Sequence, residues 1–239
     1  VNILLFEDGE WMWEFMDGSS PEEEMVNQMA RDGVTIVGGA GNMSGGNMVI
    51  IDQLKTGKSV TYTASCSGKP DEDVTKNDGE FFSFLWKDAA SNVKFELETP
   101  DGKSTGELSE GSGILKAAQY KIYYSPEVSP KGTVMMKFGA STQDSDIVRG
   151  KFKIKVTSDK DQEIRGYVVD VTQSWSGNAR WVNSNAITDE SNICFPSTAD
   201  SCMAIGAYVF NVGWMDQVGD LASYSSKGYN ITGKLGVDI

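Results

Sequence analysis

At 239 residues, with 39% hydrophobic and 23% charged side chains, the chain falls in the globular range and is long enough for one large domain or two small ones. A net charge of −13 argues against a nucleic-acid partner, because phosphate binding requires clustered Lys and Arg. No apolar run approaches the roughly 18 residues of a membrane span, and the absence of histidine excludes any Ser-His or Cys-His pair built from these residues alone.

Val1-Asn-Ile-Leu-Leu-Phe6 is a short apolar run of the kind expected for a strand buried on both faces. Trp11, Trp13 and Phe15 follow as an aromatic stripe with strand spacing, expected to serve core or interface packing. Ser20 then reads as an N-cap, Pro21 as the first helical residue and Glu23 as the reciprocal member of a capping box. Glu22, Glu23 and Glu24 suit the positive end of the helix dipole. Met25, Val26, Met29 and Ala30 supply an apolar face, and Gly33 ends the helix. Val34-Thr-Ile-Val37 is the next strand and runs into Gly38-Gly39-Ala40-Gly41-Asn42.

Strand, helix and strand with short connections predict a right-handed βαβ unit with parallel strands. Ligands of open α/β sheets bind at the carboxyl ends of the strands. That rule places Gly9 and the Gly41-Asn42 pair on one rim. An asparagine there either aims its amide N–H into a cleft or serves as a turn residue tolerant of left-handed geometry.

From about Asn47 the helical period disappears. Runs at 59–63, 80–86, 93–97, 119–124, 133–138, 151–156 and 166–171 alternate apolar and polar residues, and turns such as Pro100-Asp-Gly102 and Pro130-Lys-Gly132 divide them. Strands of this density over about 130 residues predict an antiparallel sandwich or jelly roll. Trp175 and Trp181 flank its exit and are candidates to hold it against the α/β part. After roughly residue 186 the pattern changes back, with Ser201-Cys-Met-Ala-Ile205 as a buried-strand candidate. The expected fold class is α/β, a parallel-sheet core interrupted by an inserted β-sandwich. The expected divisions are 1–46 for the first core segment, 47–185 for the insert and 186–239 for the return segment.

Cys66, Cys194 and Cys202 cannot form a complete disulfide framework and show no CxxC spacing; Cys194 and Cys202 are within reach of pairing, but buried free thiols are the preferred reading. The acid groups Asp71-Glu-Asp73 with Asp78, and Asp144-Ser-Asp146, offer oxygen ligands for Ca²⁺ but lack EF-hand spacing, so solvated loops are preferred and no cofactor is expected.

Three segments then match a family in order. Gly33-Val-Thr-Ile-Val-Gly-Gly-Ala-Gly-Asn42 resembles the subtilase segment ending in Ala-Gly-Asn. Phe195-Pro-Ser-Thr-Ala-Asp-Ser-Cys-Met-Ala-Ile-Gly-Ala207 resembles the aromatic-Pro lead into a Val-Gly-Ala strand end. Leu221-Ala-Ser-Tyr-Ser-Ser-Lys-Gly228, with Gly233-Lys-Leu-Gly-Val-Asp-Ile239, resembles the approach to the catalytic serine. The chain thus resembles an internal fragment of a subtilisin-like serine protease, of the clostridial spore-germination type that carries a jelly-roll insert.

The resemblance implies that Asn42 is the oxyanion-hole residue and that Gly9, Gly39 and Gly41 line the approach of the substrate backbone. It further implies a protein or peptide substrate and a secreted or spore-associated bacterial location. The triad is incomplete in this sequence, which lacks a Gly-Thr-Ser-Met-Ala segment, so this chain alone is expected to be inactive. Glu7-Asp8-Gly9 replaces the usual Ser-Leu-Gly, and Gly236 stands where proline is usual. A non-catalytic relative and an independent β-sandwich binding module remain alternatives. Oligomeric state is not fixed by the sequence.

Overall fold

The computed structural model describes residues 2–7, 9–11, 13–67, 79–108, 111–142, 148–171, 179–211 and 217–237. Strand β1 (Asn2–Phe6), helix α1 (Pro21–Arg31) and strand β2 (Val34–Gly39) open the chain. Strands β3 (Val49–Leu54), β4 (Ser59–Cys66), β5 (Glu80–Trp86), β6 (Val93–Glu98), β7 (Ser104–Leu108) and β8 (Gly113–Ala117) follow. Then come β9 (Tyr120–Val128), β10 (Val134–Thr142), β11 (Gly150–Ser158), β12 (Gln162–Asp170), β13 (Ala179–Val182), β14 (Ile187–Thr188) and β15 (Cys202–Ile205).

The expected α/β class is overturned, because the chain is mostly β. Among the described residues one 11-residue helix stands against fifteen strands. The parallel sheet stops at three strands, and the return segment closes mainly through turns and isolated bridges rather than helices. The chain divides into two compact units, one formed by Val1–Gly46 with Asp189–Ile239, the other by Asn47–Thr188.

In the first unit the sheet order is β1-β2-β15, all parallel, with Leu4 opposite Ile36 and Ile36 opposite Cys202. The helix starts where local chemistry directs it: the Ser20 N–H donates to Glu23 Oε2 at 2.9 Å, and Pro21 needs no donor at the first position. It ends at Asp32, with Gly33 at φ +89° in the left-handed region.

Its inward face is the expected one at Val26, Met29 and Ala30, which pack on the core, and departs from it at Met25. Met25 is 56% exposed, while Glu23, Val26 and Asn27 face inward. Asn27 is buried with its amide donating to Gly18 O at 3.1 Å and its carbonyl accepting the Ser201 N–H at 2.9 Å. These two bonds tie the inward polar side chain of Asn27 to loops on either side of the helix. Val26, Ile36, Ala199 and Cys202 form the small core beneath. The aromatic stripe is likewise no strand: Trp13 and Met16 have positive φ, and Trp11 is buried with its indole N–H on Ile193 O at 2.9 Å.

The second unit is two antiparallel sheets, of order β14-β3-β12-β5-β10-β9-β8 and β13-β4-β11-β6-β7. Alternation along β11 buries Phe152, Ile154 and Val156 and leaves Lys151, Lys153 and Lys155 outward. Rings from the two sheets meet in one core, with Phe82 to Phe152 at 5.7 Å and Phe84 to Phe95 at 5.2 Å between centroids. Each such side chain contributes about 1.5–3 kcal/mol by burial. Trp181 sits inside this core, fully buried, its indole N–H within reach of Met48 O (3.1 Å) and Gly166 O (3.2 Å). Among the described residues no helix is long and apolar enough to cross a membrane.

Candidate functional site

The carboxyl end of β2 is sewn into the first unit by the return segment. The Ala40 N–H donates to Ile205 O at 2.8 Å, and Ala40 O accepts the Cys194 N–H at 3.0 Å. One residue on, Gly41 O accepts the Ser226 N–H at 2.9 Å, and the Met43 N–H donates to Ser226 Oγ at 3.0 Å. Ser44 is then fixed through its N–H to Tyr224 O (3.1 Å), its hydroxyl to Ser225 O (2.7 Å) and the Asn192 amide on its Oγ (2.8 Å). Asn192 completes the loop by accepting the Lys227 N–H at 2.7 Å.

Asn42 stands between these anchored neighbours. It is exposed, and among the described residues its side chain has no hydrogen-bond partner. Its amide is therefore not committed to any acceptor within the described residues.

The four glycines of this region fall into two groups. At Gly41, with φ +112°, a Cβ would lie 2.3 Å from Cys194 Sγ and 2.8 Å from Ser226 Oγ, so the absent side chain is required by both backbone and packing. At Gly38 a Cβ would meet Pro196 Cγ at 2.7 Å and Cys202 Sγ at 2.9 Å. Gly9 is tight as well, with Phe195 O at 3.0 Å and Cys194 Cβ at 3.4 Å. Gly39 differs: it is exposed, and nothing lies within 4 Å of its hypothetical Cβ. Open space at a strand's carboxyl end is available for a ligand backbone, whereas the other three are consumed by the fold itself.

Gly9 and Gly41 thus come together across Cys194, which is 2% exposed. Burial pushes its thiol up to about 12, with the Ser226 hydroxyl opposing that shift. At neutral pH it is a protonated, inert wall. Cys66 and Cys202 are buried free thiols too. Sequence reasoning alone does not single out Cys194 and Ser226 as site residues; the only available signal is their membership of the Phe-Pro and Ser-Ser-x-Gly segments.

The glycine at 236 has a packing reason. A Cβ there would sit 2.4 Å from Ile193 Cδ1 and Cγ2, and the Gly236 N–H donates to Gly228 O at 2.7 Å. Proline fits neither the space nor the hydrogen bond. Lys234 nearby donates its ammonium to Ala199 O (2.6 Å) and Cys202 O (3.1 Å), holding the turn that leads into β15.

Asp8, Trp175 and the acid groups at 71–73, 78, 144 and 146 lie outside the described residues. Among the described residues no group of three or more His, Cys, Asp or Glu is gathered to hold a metal ion. Chemically, the assembled site can donate a hydrogen bond to an oxygen that gains negative charge. With no histidine in the chain, it supplies no Ser-His or Cys-His base pair.

No protein-family model matches this chain, and no curated protein does. Among solved structures, the CspB protease of Clostridium perfringens matches 98% of this chain and 46% of its own, with a TM-score of 0.73 and 17% identity. The chain shares the fold of a clostridial protease. It spans a little under half the length of that protein, and at this identity the likeness concerns the fold alone. A lipase of Bacillus licheniformis, BlEst2 in its propeptide form, matches 52% of this chain and 22% of its own at 11% identity. Its TM-score of 0.33 is too low to carry any argument.

Proposed function

We propose that this chain is an internal part of a subtilisin-like serine endopeptidase that hydrolyses peptide bonds through an acyl-enzyme, with Asn42 donating to the oxyanion. The observation that carries the reading is the exposed, unpartnered Asn42 amide at the carboxyl end of the central strand of a parallel sheet. Negative charge collects on the scissile carbonyl oxygen only near the transition state, so a donor fixed in advance lowers the barrier selectively. Gly39 supplies open backbone beside it for the substrate chain, while Gly9 and Gly41 let the loops at this rim pack closely on Cys194. Substrates are proteins or peptides. The jelly-roll identity of the second unit and a secreted or spore-associated bacterial location belong to the same reading. The aspartate, histidine and serine are contributed by the parent polypeptide outside these 239 residues, so the isolated chain does not turn over substrate.

Fluorophosphonate labelling of the full-length parent, followed by peptide mapping, tests this. The expected result is one labelled serine in a part of the parent beyond this chain. Asn42→Ala in the parent should then lower kcat on the order of 10²–10³-fold with KM nearly unchanged, a magnitude known from subtilisin itself rather than worked from this geometry. No labelling of a folded, propeptide-free parent would overturn the reading and leave a non-catalytic relative.

A further inference from the structure

We propose that Ser226 is the positioning residue that aims Asn42, acting as a two-point clamp on the backbone either side of it. This inference rests on the oxyanion role given to Asn42 above.

Ser226 is fully buried and sits 184 positions after Asn42 in the chain. Its N–H donates to Gly41 O at 2.9 Å, on the amino side of Asn42. Its hydroxyl oxygen accepts the Met43 N–H at 3.0 Å, on the carboxyl side. A single residue therefore grips both peptide units that carry the Asn42 Cα. With both peptide units bonded, the freedom left to Asn42 is in its own side-chain torsions. The hydroxyl is held in turn, since it lies against Cys194 Sγ and the space over Gly41.

Other anchors act further away. Asn192, Ser225 and Tyr224 all reach Ser44, two residues beyond Asn42, and Asp189 reaches Gly45. Loss of the Ser226 hydroxyl frees the Met43 N–H and lets the Asn42 peptide drift, while the Ser226 N–H bond to Gly41 O survives. A displacement approaching 1 Å at a catalytic donor costs on the order of 10²-fold in rate. One net hydrogen bond sets a smaller expectation here, about tenfold.

The test is a double-mutant cycle in the full-length parent with Asn42→Ala, Ser226→Ala and the pair. Ser226→Ala should lower kcat about tenfold with KM within about twofold of wild type. In the Asn42→Ala background the same change should have no further effect, because there is no amide left to aim. Ser226→Cys puts a larger and weaker acceptor at the same place; assayed under reducing conditions because Cys194 is adjacent, it should lose less than Ser226→Ala and serves if the alanine variant does not fold. Effects that multiply in the double variant would mark Ser226 as a merely structural residue and overturn the inference. So would a kcat within twofold of wild type in both Ser226 variants while Asn42→Ala is strongly impaired. An Asn42→Ala parent with normal turnover would remove the oxyanion reading itself and this inference with it, so the two failures are distinguishable.

Discussion

Replacing Glu14 by glutamine should stabilise this protein at neutral and alkaline pH and not below pH 4. Glu14 precedes helix α1, is only 8% exposed, and has one carboxylate oxygen buried without a partner. Burial raises its carboxyl from the ordinary 4.5 to about 7; the Ser20 hydroxyl opposes this, and the nearby charges of Glu23, Glu22 and Glu10 add to it. Below pH 4.5 the group is protonated in both folded and unfolded chains and contributes no pH dependence. Between 4.5 and about 7 the unfolded chain releases the proton while the folded chain keeps it, so stability falls as pH rises. Above about 7 both forms are ionised and the full cost is present. That interval, at about 1.4 kcal/mol per pH unit, amounts to about 3 kcal/mol. Glutamine is neutral throughout and removes the cost. Urea unfolding followed by tryptophan fluorescence at pH 4, 5.5, 7 and 8.5 should show the variant-minus-wild-type difference growing from near zero to about 3 kcal/mol. A constant difference across that range would refute the reasoning.

Gly41→Ala should cost at least about 2 kcal/mol, since it adds a Cβ in the left-handed region against Cys194 and Ser226, whereas Gly39→Ala should stay within about 0.5 kcal/mol. Thermal melts of the two variants decide this, and equal destabilisation would contradict the open space at Gly39. The three cysteines should resist iodoacetamide at pH 8 in the folded chain and all react in denaturant, because each is buried and the Cys194 thiol is pushed up to about 12. Rapid native labelling of Cys194, read by mass spectrometry, would contradict that placement. Trp181→Ala should cost about 3–5 kcal/mol by urea unfolding, from a cavity in the sandwich core and the loss of its indole donor; a change below about 1 kcal/mol would place this ring outside the core.

Local chemistry made much of the chain legible as sequence. The cap formed by Ser20, Pro21 and Glu23 marks the start of α1 and Gly33 its end, because each signal acts within one helical turn. Period-two alternation marks β4, β6 and β11 because successive side chains of a strand point to opposite faces. Strands β3, β7, β8, β13 and β14 escape that reading. Their sequences are short, polar or unbroken in hydropathy, and pairing with neighbours rather than pattern makes them strands. Even without them the remaining ten strands outweigh the single described helix, so the molecule is mostly β because its parallel unit carries so little helix.

What only the tertiary structure decided rests on contacts between residues far apart in the chain. Asn27 is buried on bonds to Gly18 and to Ser201, the latter 174 positions away. Cys194 lies between Gly9 and Gly41, Ile193 fills the place of a side chain at 236, and Ser226 grips the backbone around Asn42 from 183 positions beyond Met43. The sequence by itself determined which residue carries the free amide. The backbone that carries that amide is fixed by hydrogen bonds that form only when the return segment closes over the end of β2, and no local pattern encodes them.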